Sequence, residues 1–127
     1  MQRLSITPRS SEISGGHVSN TVPPVWFQDA RLEICQAVSE LNGENALFGV
    51  VRSAKYDYER ELYFGSAVEI RTTIRKIGNS SVVFFQEAWQ NQHRAVTAET
   101  VILLIDTVTG GPSTLSETSR QYLNSIG

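Results

Sequence analysis

The sequence predicts an α+β domain in which one long helix is wrapped by a curved antiparallel sheet. Two patterns carry that expectation. Trp26, Phe27, Ala30, Ile34, Ala37, Val38 and Leu41 recur at three- and four-residue spacing, which makes one apolar stripe on a long helix. Almost everything after that helix reads as strands separated by tight turns, and a helix followed by a strand meander packs as one helix layer on one sheet layer. The 127 residues fit a single domain spanning 1–127. A chain of this size buries about two-thirds of its unfolded surface, enough for one core.

Taken in order, Arg3 to Thr7 alternates as a strand does and stops at Pro8. Arg9 to Asn20 is rich in Ser and Gly and reads as a loop. The helix runs from about Pro24 to Leu41, and Asn42-Gly43 closes it with a left-handed cap. Phe48 to Tyr58 is a strand. Val68 to Ile77 alternates, with Val68, Ile70, Thr72 and Ile74 on one face and Glu69, Arg71, Thr73 and Arg75 on the other. Gly78-Asn79-Ser80 is a tight turn, Val82 to Gln90 returns, and Asn91-Gln92-His93 turns again. Ala95 to Asp106 is the last strand, and its run Val101-Ile102-Leu103-Leu104-Ile105 predicts burial on both faces. Thr109-Gly110-Gly111-Pro112 ends the sheet, and Ser116 caps a short helix to Ser125 on which Tyr122 and Leu123 dock.

Composition narrows the function. The formal charge of −2 leaves no basic excess for nucleic acid or an anionic membrane surface. No apolar run reaches the roughly 18 residues a membrane span needs, and the first residues lack the apolar stretch of a signal peptide. A single cysteine, Cys35, excludes an intrachain disulfide and fits a reducing, cytoplasmic location. Two histidines and one cysteine, widely spread, make no metal site.

The chemistry gathers where the loop meets the helix. Gly16-His17-Val18-Ser19-Asn20 runs past Pro23 and Pro24 into Trp26-Phe27-Gln28-Asp29-Ala30-Arg31. Backbone N–H groups at a helix start lack intrahelical partners and lie at the positive end of the helix dipole. Such groups stabilise a negative charge that develops on a carbonyl oxygen under attack. These residues resemble the Gly-His-Val-Asn-Asn and Trp-Phe-Glu-x-Ala-Arg pattern of hotdog-fold acyl-CoA thioesterases of the 4-hydroxybenzoyl-CoA thioesterase type. Tyr63-Phe64-Gly65, the turn Arg75-Lys76-Ile77-Gly78-Asn79-Ser80-Ser81, Ala98-Glu99-Thr100-Val101 and Asp106 to Pro112 are similar to later pieces of that family in order and spacing.

The resemblance implies a hotdog fold, hydrolysis of an acyl-CoA thioester to free acid and CoA, and a homodimer or dimer of dimers with its active site between subunits. It also implies an oxyanion donor at the backbone N–H of Asn20, counted from Gly16. The residue alone reads equally as a turn or helix-capping residue. The family's aspartate, three residues before the glycine, has no counterpart: Ile13 stands there, or Ser14 if the loop is shorter. The nearest acid is Glu12, which is ionised at neutral pH. The candidate catalytic set is therefore Glu12, Ser14, Gly16, His17 and Asn20. His17 serves as a base or as a shaper of the loop. Asp29 is the helix's better placed acid, and it reads more simply as an exposed or interfacial residue.

For the substrate, Trp26, Phe27 and Tyr63 are candidates to line an acyl slot, although such aromatics also read as core. Arg75, Lys76, Asn79, Ser80 and Ser81 offer cations and donors for the phosphates of CoA. No cofactor is expected beyond the CoA of the substrate. The alternative reading, drawn from the missing aspartate, is a non-catalytic hotdog that binds acyl-CoA or an acyl carrier thioester.

Overall fold

The computed structural model describes residues 1–43 and 45–127. The chain forms β1 (Gln2–Ile6), a single 3-10 turn (Ser10–Glu12), β2 (Ile13–Ser14), β3 (His17–Val18), α1 (Pro23–Leu41), β4 (Leu47–Tyr58), β5 (Val68–Ile77), β6 (Ser81–Gln90), β7 (His93–Asp106) and α2 (Glu117–Ile126). Five strands make one antiparallel sheet in the order β1-β5-β6-β7-β4. The hotdog architecture is what the sequence predicts: a curved sheet around a long helix.

Of the stripe read from spacing, the helix buries Trp26, Phe27, Ala30, Ile34 and Val38 on the sheet, whereas Ala37 is half-buried and Leu41, in the last turn, is exposed. Its first half meets Val68, Ile70, Ala88, Val96 and Ala98. Its second half meets Val82, Phe84, Ile102, Leu104 and Leu123. Each large apolar side chain so buried stabilises the fold by about 1.5–3 kcal/mol. α2 closes the far end, with the Ser116 hydroxyl accepting from Ser119 N–H as the predicted cap.

Two expectations change. The stretch from Arg9 to Asn20 is not all loop, because β2 and β3 pair Ile13 with Val18 and Ser14 with His17. Gly15 and Gly16 sit between them at φ +66° and +85°, a pair of left-handed residues that closes a two-residue hairpin at no steric cost. The run Val101–Ile105 is buried on one face only: Ile102 and Leu104 are buried, whereas Val101, Leu103 and Ile105 are half-buried. The outer face of β7 carries no helix layer, so alternation persists where continuous burial was expected.

Two irregularities shape the ground around the N-terminus of α1. β7 bulges between the pairs Ala88↔Val96 and Trp89↔Arg94, which frees the Ala95 carbonyl to accept from Glu59 N–H at 2.7 Å and Arg60 N–H at 3.0 Å. The Gln90 side chain grips the next loop, accepting from Tyr63 N–H at 2.9 Å and donating to Tyr63 and Ser66 carbonyls at 2.7 and 3.0 Å. Together they lay the β4–β5 loop over the β2–β3 hairpin, where Val18 N–H donates to the Leu62 carbonyl at 2.7 Å.

Candidate active site

Pro23 and Pro24 open α1 and have no N–H to offer. The next two amides, of Val25 and Trp26, donate to the Val22 carbonyl at 2.9 and 3.3 Å. The helix itself therefore presents no free amide in its first turn. The free donor lies just ahead of it. Ser19 to Val22 form a turn closed by Val22 N–H to the Ser19 carbonyl at 3.0 Å. Asn20 is the second residue of that turn, where an N–H points outward, and its N–H has no partner among the described residues. Asn20 is thus a turn residue, with Val22 as the helix N-cap. Tyr58, at the end of β4, donates its hydroxyl to the Asn20 carbonyl at 2.6 Å and fixes the orientation of this peptide.

A cleft of about 400 Å³ faces this turn, lined by His17, Asn20, Pro23, Tyr58, Glu61 and Leu62 among others. His17 is half-buried. Its Nδ1 lies 3.0 Å from the Val18 carbonyl and donates to it, so Nε2 is the nitrogen that faces the Glu61 carboxylate, 3.7 Å away. Tyr58 is held protonated: burial pushes its phenol up, and Tyr56 adds to the effect. At the rim, Arg94 grips Glu59 through two bonds of 2.7 and 2.9 Å and Glu87 at 3.1 Å. The Arg94 hydrogen bonds hold the Glu59 carboxyl below its ordinary range.

The Glu12 carboxylate is occupied, accepting from Arg9 N–H at 2.7 Å and from the Trp26 indole at 3.3 Å. Ser14 and Gly16 are exposed on the hairpin, Gly16 at its tip. Asp29 is exposed on α1. Trp26 and Phe27 belong to the core, Phe27 stacked on Tyr56 with ring centroids 6.2 Å apart. Tyr63 is exposed on its loop.

The turn from Arg75 to Ser81 lies at the opposite end of the sheet. Ser81 pairs with Leu103, whereas the cleft borders Val96, seven residues back along β7, about 23 Å at the usual strand rise. There Arg75 pairs with Glu99 at 2.9 Å and covers the Phe85 ring. The carbonyls of Asn79 and Ser80 accept from Leu115 and Leu104 N–H at 2.9 Å each, and that of Ser81 accepts from Gly78 N–H at 2.7 Å. Arg75 and Lys76 share a groove of about 510 Å³ with Arg120 of α2.

The structure thus brings together His17 and Asn20 and leaves the cation-rich turn apart. It adds Tyr58 and Glu61, which sequence reasoning missed. Both lie some 40 residues from Asn20 and reach it only through β4 pairing and the Leu62–Val18 bond. Among the described residues, no three His, Cys, Asp or Glu side chains come close enough to hold a metal ion. No helix among them is long and apolar enough to cross a membrane.

Residues 11–123 match the family model described as the thioesterase-like superfamily. Among solved structures, a predicted thioesterase from Bacillus stearothermophilus is 31% identical with a TM-score of 0.88, the match covering 98% of this chain and 94% of that one. A thioesterase from Thermus thermophilus, complexed with coenzyme A and Zn, is 23% identical with a TM-score of 0.82, over 98% of this chain and 92% of that one. A hypothetical protein from Staphylococcus aureus in complex with CoA is 14% identical with a TM-score of 0.84, over 98% and 82%. At those identities the last two show the shared fold. No curated protein matches the chain.

Proposed function

The chain belongs to the thioesterase-like superfamily, and from that premise we propose that it hydrolyses acyl-CoA thioesters with the loop–helix apparatus of the 4-hydroxybenzoyl-CoA type. The observation that carries this reading is the unpartnered N–H of Asn20 on a cleft that also holds His17 and Glu61. The thioester oxygen accepts from Asn20 N–H. Water attacks the carbonyl carbon, His17 Nε2 takes its proton, and the Glu61 carboxylate, which faces the same nitrogen, stabilises the imidazolium that forms. The tetrahedral intermediate collapses, the C–S bond breaks, and His17 returns the proton to the departing sulfur. A donor fixed by the fold needs no reorganisation as the charge appears, and one such donor contributes about 3–4 kcal/mol. General-base assistance contributes about 10²–10⁴-fold. Glu12 holds the loop in place by capping Arg9 and the Trp26 indole.

The working unit in this reading is a homodimer. β4 is a sheet edge with Phe48, Val50 and Val51 exposed, a surface suited to pairing with its own copy. A two-fold axis through β4 runs the second strand antiparallel. The partner's Arg75–Ser81 turn then comes to the end of the sheet that bears this cleft, where it meets the phosphates of CoA.

The test is release of free thiol from a panel of acyl-CoAs by the wild type and by His17→Ala, Glu61→Gln, Glu12→Gln and Ser14→Ala. The reading expects turnover in the wild type and a loss of about a hundredfold or more in His17→Ala, with a smaller loss in Glu61→Gln. Loss confined to Glu12→Gln moves the base to Glu12. Ile13, in the place of the family's aspartate, favours a second reading, a binder of acyl-CoA or carrier thioesters. Tight binding of CoA esters by calorimetry with no thiol released establishes that one.

A further inference from the structure

On the outer face of the sheet, one guanidinium ties β6, β7 and the end of β4 together at the corner that carries Tyr58. Arg94 lies at the bulge of β7, where Ala88 pairs with Val96 and Trp89 with Arg94. Its Nε and Nη2 donate to the two carboxylate oxygens of Glu59 at 2.7 and 2.9 Å, and its Nη1 donates to Glu87 at 3.1 Å. Every guanidinium nitrogen is thus engaged. Glu87 stands on β6 between the buried Gln86 and Ala88, so its side chain lies on the face turned away from α1. Glu59 is the first residue beyond β4.

That corner is where the edge strand leaves the sheet. Tyr58 makes the last β4 pair, with Val96. Beyond it the ladder stops, because Glu59 and Arg60 N–H both turn to the Ala95 carbonyl, at 2.7 and 3.0 Å. Val96 belongs to the core under α1, and Tyr58, paired with it, projects to the same inner face. There its hydroxyl reaches the Asn20 carbonyl at 2.6 Å. Consecutive residues therefore grip the chain from opposite faces: Tyr58 holds the Asn20 turn inside, and Glu59 holds the clamp outside. A slide at Glu59 passes through one peptide group to Tyr58 and through one hydrogen bond to Asn20. An exposed ion pair contributes little to stability, but a bidentate one fixes direction. The two bonds to the Ala95 carbonyl are backbone bonds and survive any change of the Arg94 side chain.

We propose that Arg94 is a positioning residue for the hydrolysis: through Glu59 and then Tyr58 it sets the Asn20 peptide whose N–H faces the cleft. The proposal rests on the thioesterase reading for what that N–H does. Rate is the sensitive quantity here. A displacement of about 1 Å costs on the order of a hundredfold in rate, whereas losing an exposed ion pair scarcely moves Tm.

The experiment is a double-mutant cycle on the best acyl-CoA of the panel, with Arg94→Met, Tyr58→Phe and the two combined, and Arg94→Lys beside them. Arg94→Met is expected to lower kcat by about fivefold, within the loss caused by Tyr58→Phe, with KM and Tm nearly unchanged. In the Tyr58→Phe background the same change is expected to cost nothing further. Arg94→Lys keeps the charge without the fork and recovers part of the rate. The Asn20 amide resonance in a proton–nitrogen correlation spectrum reads the coupling without turnover, and it is expected to move in both single variants. If the two kcat losses multiply in the combined variant, Arg94 does not act through Tyr58 and the proposal falls. It falls also if the Asn20 resonance stays in place in Arg94→Met, or if kcat drops only as far as the folded fraction does. Where Arg94→Met does not fold, Glu59→Gln takes its place in the cycle under the same criteria. A moved Asn20 resonance with no ester hydrolysed by the wild type leaves the coupling standing and removes the thioesterase reading.

Discussion

The Tyr58 hydroxyl donates to the Asn20 carbonyl across 2.6 Å, tying the end of β4 to the turn that precedes α1. Asn20 belongs to two peptide groups, and holding its carbonyl fixes the turn that displays its N–H. Because burial keeps the Tyr58 phenol protonated, this bond persists through and beyond neutral pH. Tyr58→Phe removes the bond and keeps the ring. The expected outcome is a fall in kcat of about tenfold, equivalent to about 1.4 kcal/mol, with KM nearly unchanged. Steady-state kinetics on the best acyl-CoA of the panel checks it.

The β6–β7 hairpin turns on Asn91 and Gln92, at φ +50° and +67°. Both are left-handed, and Gln92 has neither the missing Cβ of glycine nor the short polar side chain of asparagine. A left-handed residue of this kind costs about 1–2 kcal/mol, while glycine loses about 0.5–1 kcal/mol in backbone entropy. Gln92→Gly is therefore expected to stabilise the chain by about 0.5–1 kcal/mol, read as a rise in Tm. Gln92→Val is expected to lower it.

Asp106 anchors the turn after β7. One carboxylate oxygen accepts from Val108 and Thr109 N–H at 2.7 and 3.1 Å, and the other from the Asn45 amide at 3.1 Å. The Asn45 bond, then the two backbone bonds, hold its carboxyl below the ordinary range. A depressed native pKa means that the unfolded chain binds the proton more readily. The stabilisation is thus complete above the unfolded value of about 3.9 and disappears as pH falls through the native value. Asp106→Asn is expected to flatten the acid limb of a plot of Tm against pH and to leave the slope near pH 7 unchanged. An acid limb as steep as that of the wild type rules out this role.

Much of this was legible because periodicity reports which face is buried. The spacing of Trp26, Phe27, Ala30, Ile34 and Val38 located α1, and the alternation from Val68 to Ile74 located β5. The β2–β3 hairpin was not legible, since two-residue strands carry no pattern and depend on the bond from Val18 to Leu62. Tyr58 and Glu61 were invisible for a related reason: only the pairing of β4 with β7 and the Ala95 bulge carry them to Asn20. Arg31, which donates to the buried Gln86 at 2.9 Å, leaves a signal in the sequence. It occupies the inward stripe Phe27, Arg31, Ile34, Val38, and Gln86 occupies the inward set Val82, Phe84, Gln86, Ala88. A charge and an amide on facing apolar patterns mark a buried polar contact before any coordinates exist.

The outer edge of the sheet, β4, is exposed. Phe48, Val50 and Val51 are 48%, 42% and 53% exposed on a strand with nothing paired to its outer side among the described residues. A long edge with apolar side chains invites another strand. If two copies join there, carboxylates placed along β4 face their own images across the axis, and like charges opposed in a sheet are destabilising. Phe48→Asp combined with Val50→Asp is expected to halve the mass seen by sedimentation while leaving the helical signal of the chain in place. Activity should fall with it if, as proposed, the Arg75–Ser81 turn of a second copy serves the cleft. A wild type that sediments as a monomer and still hydrolyses CoA esters would remove both the interface and that role for the turn.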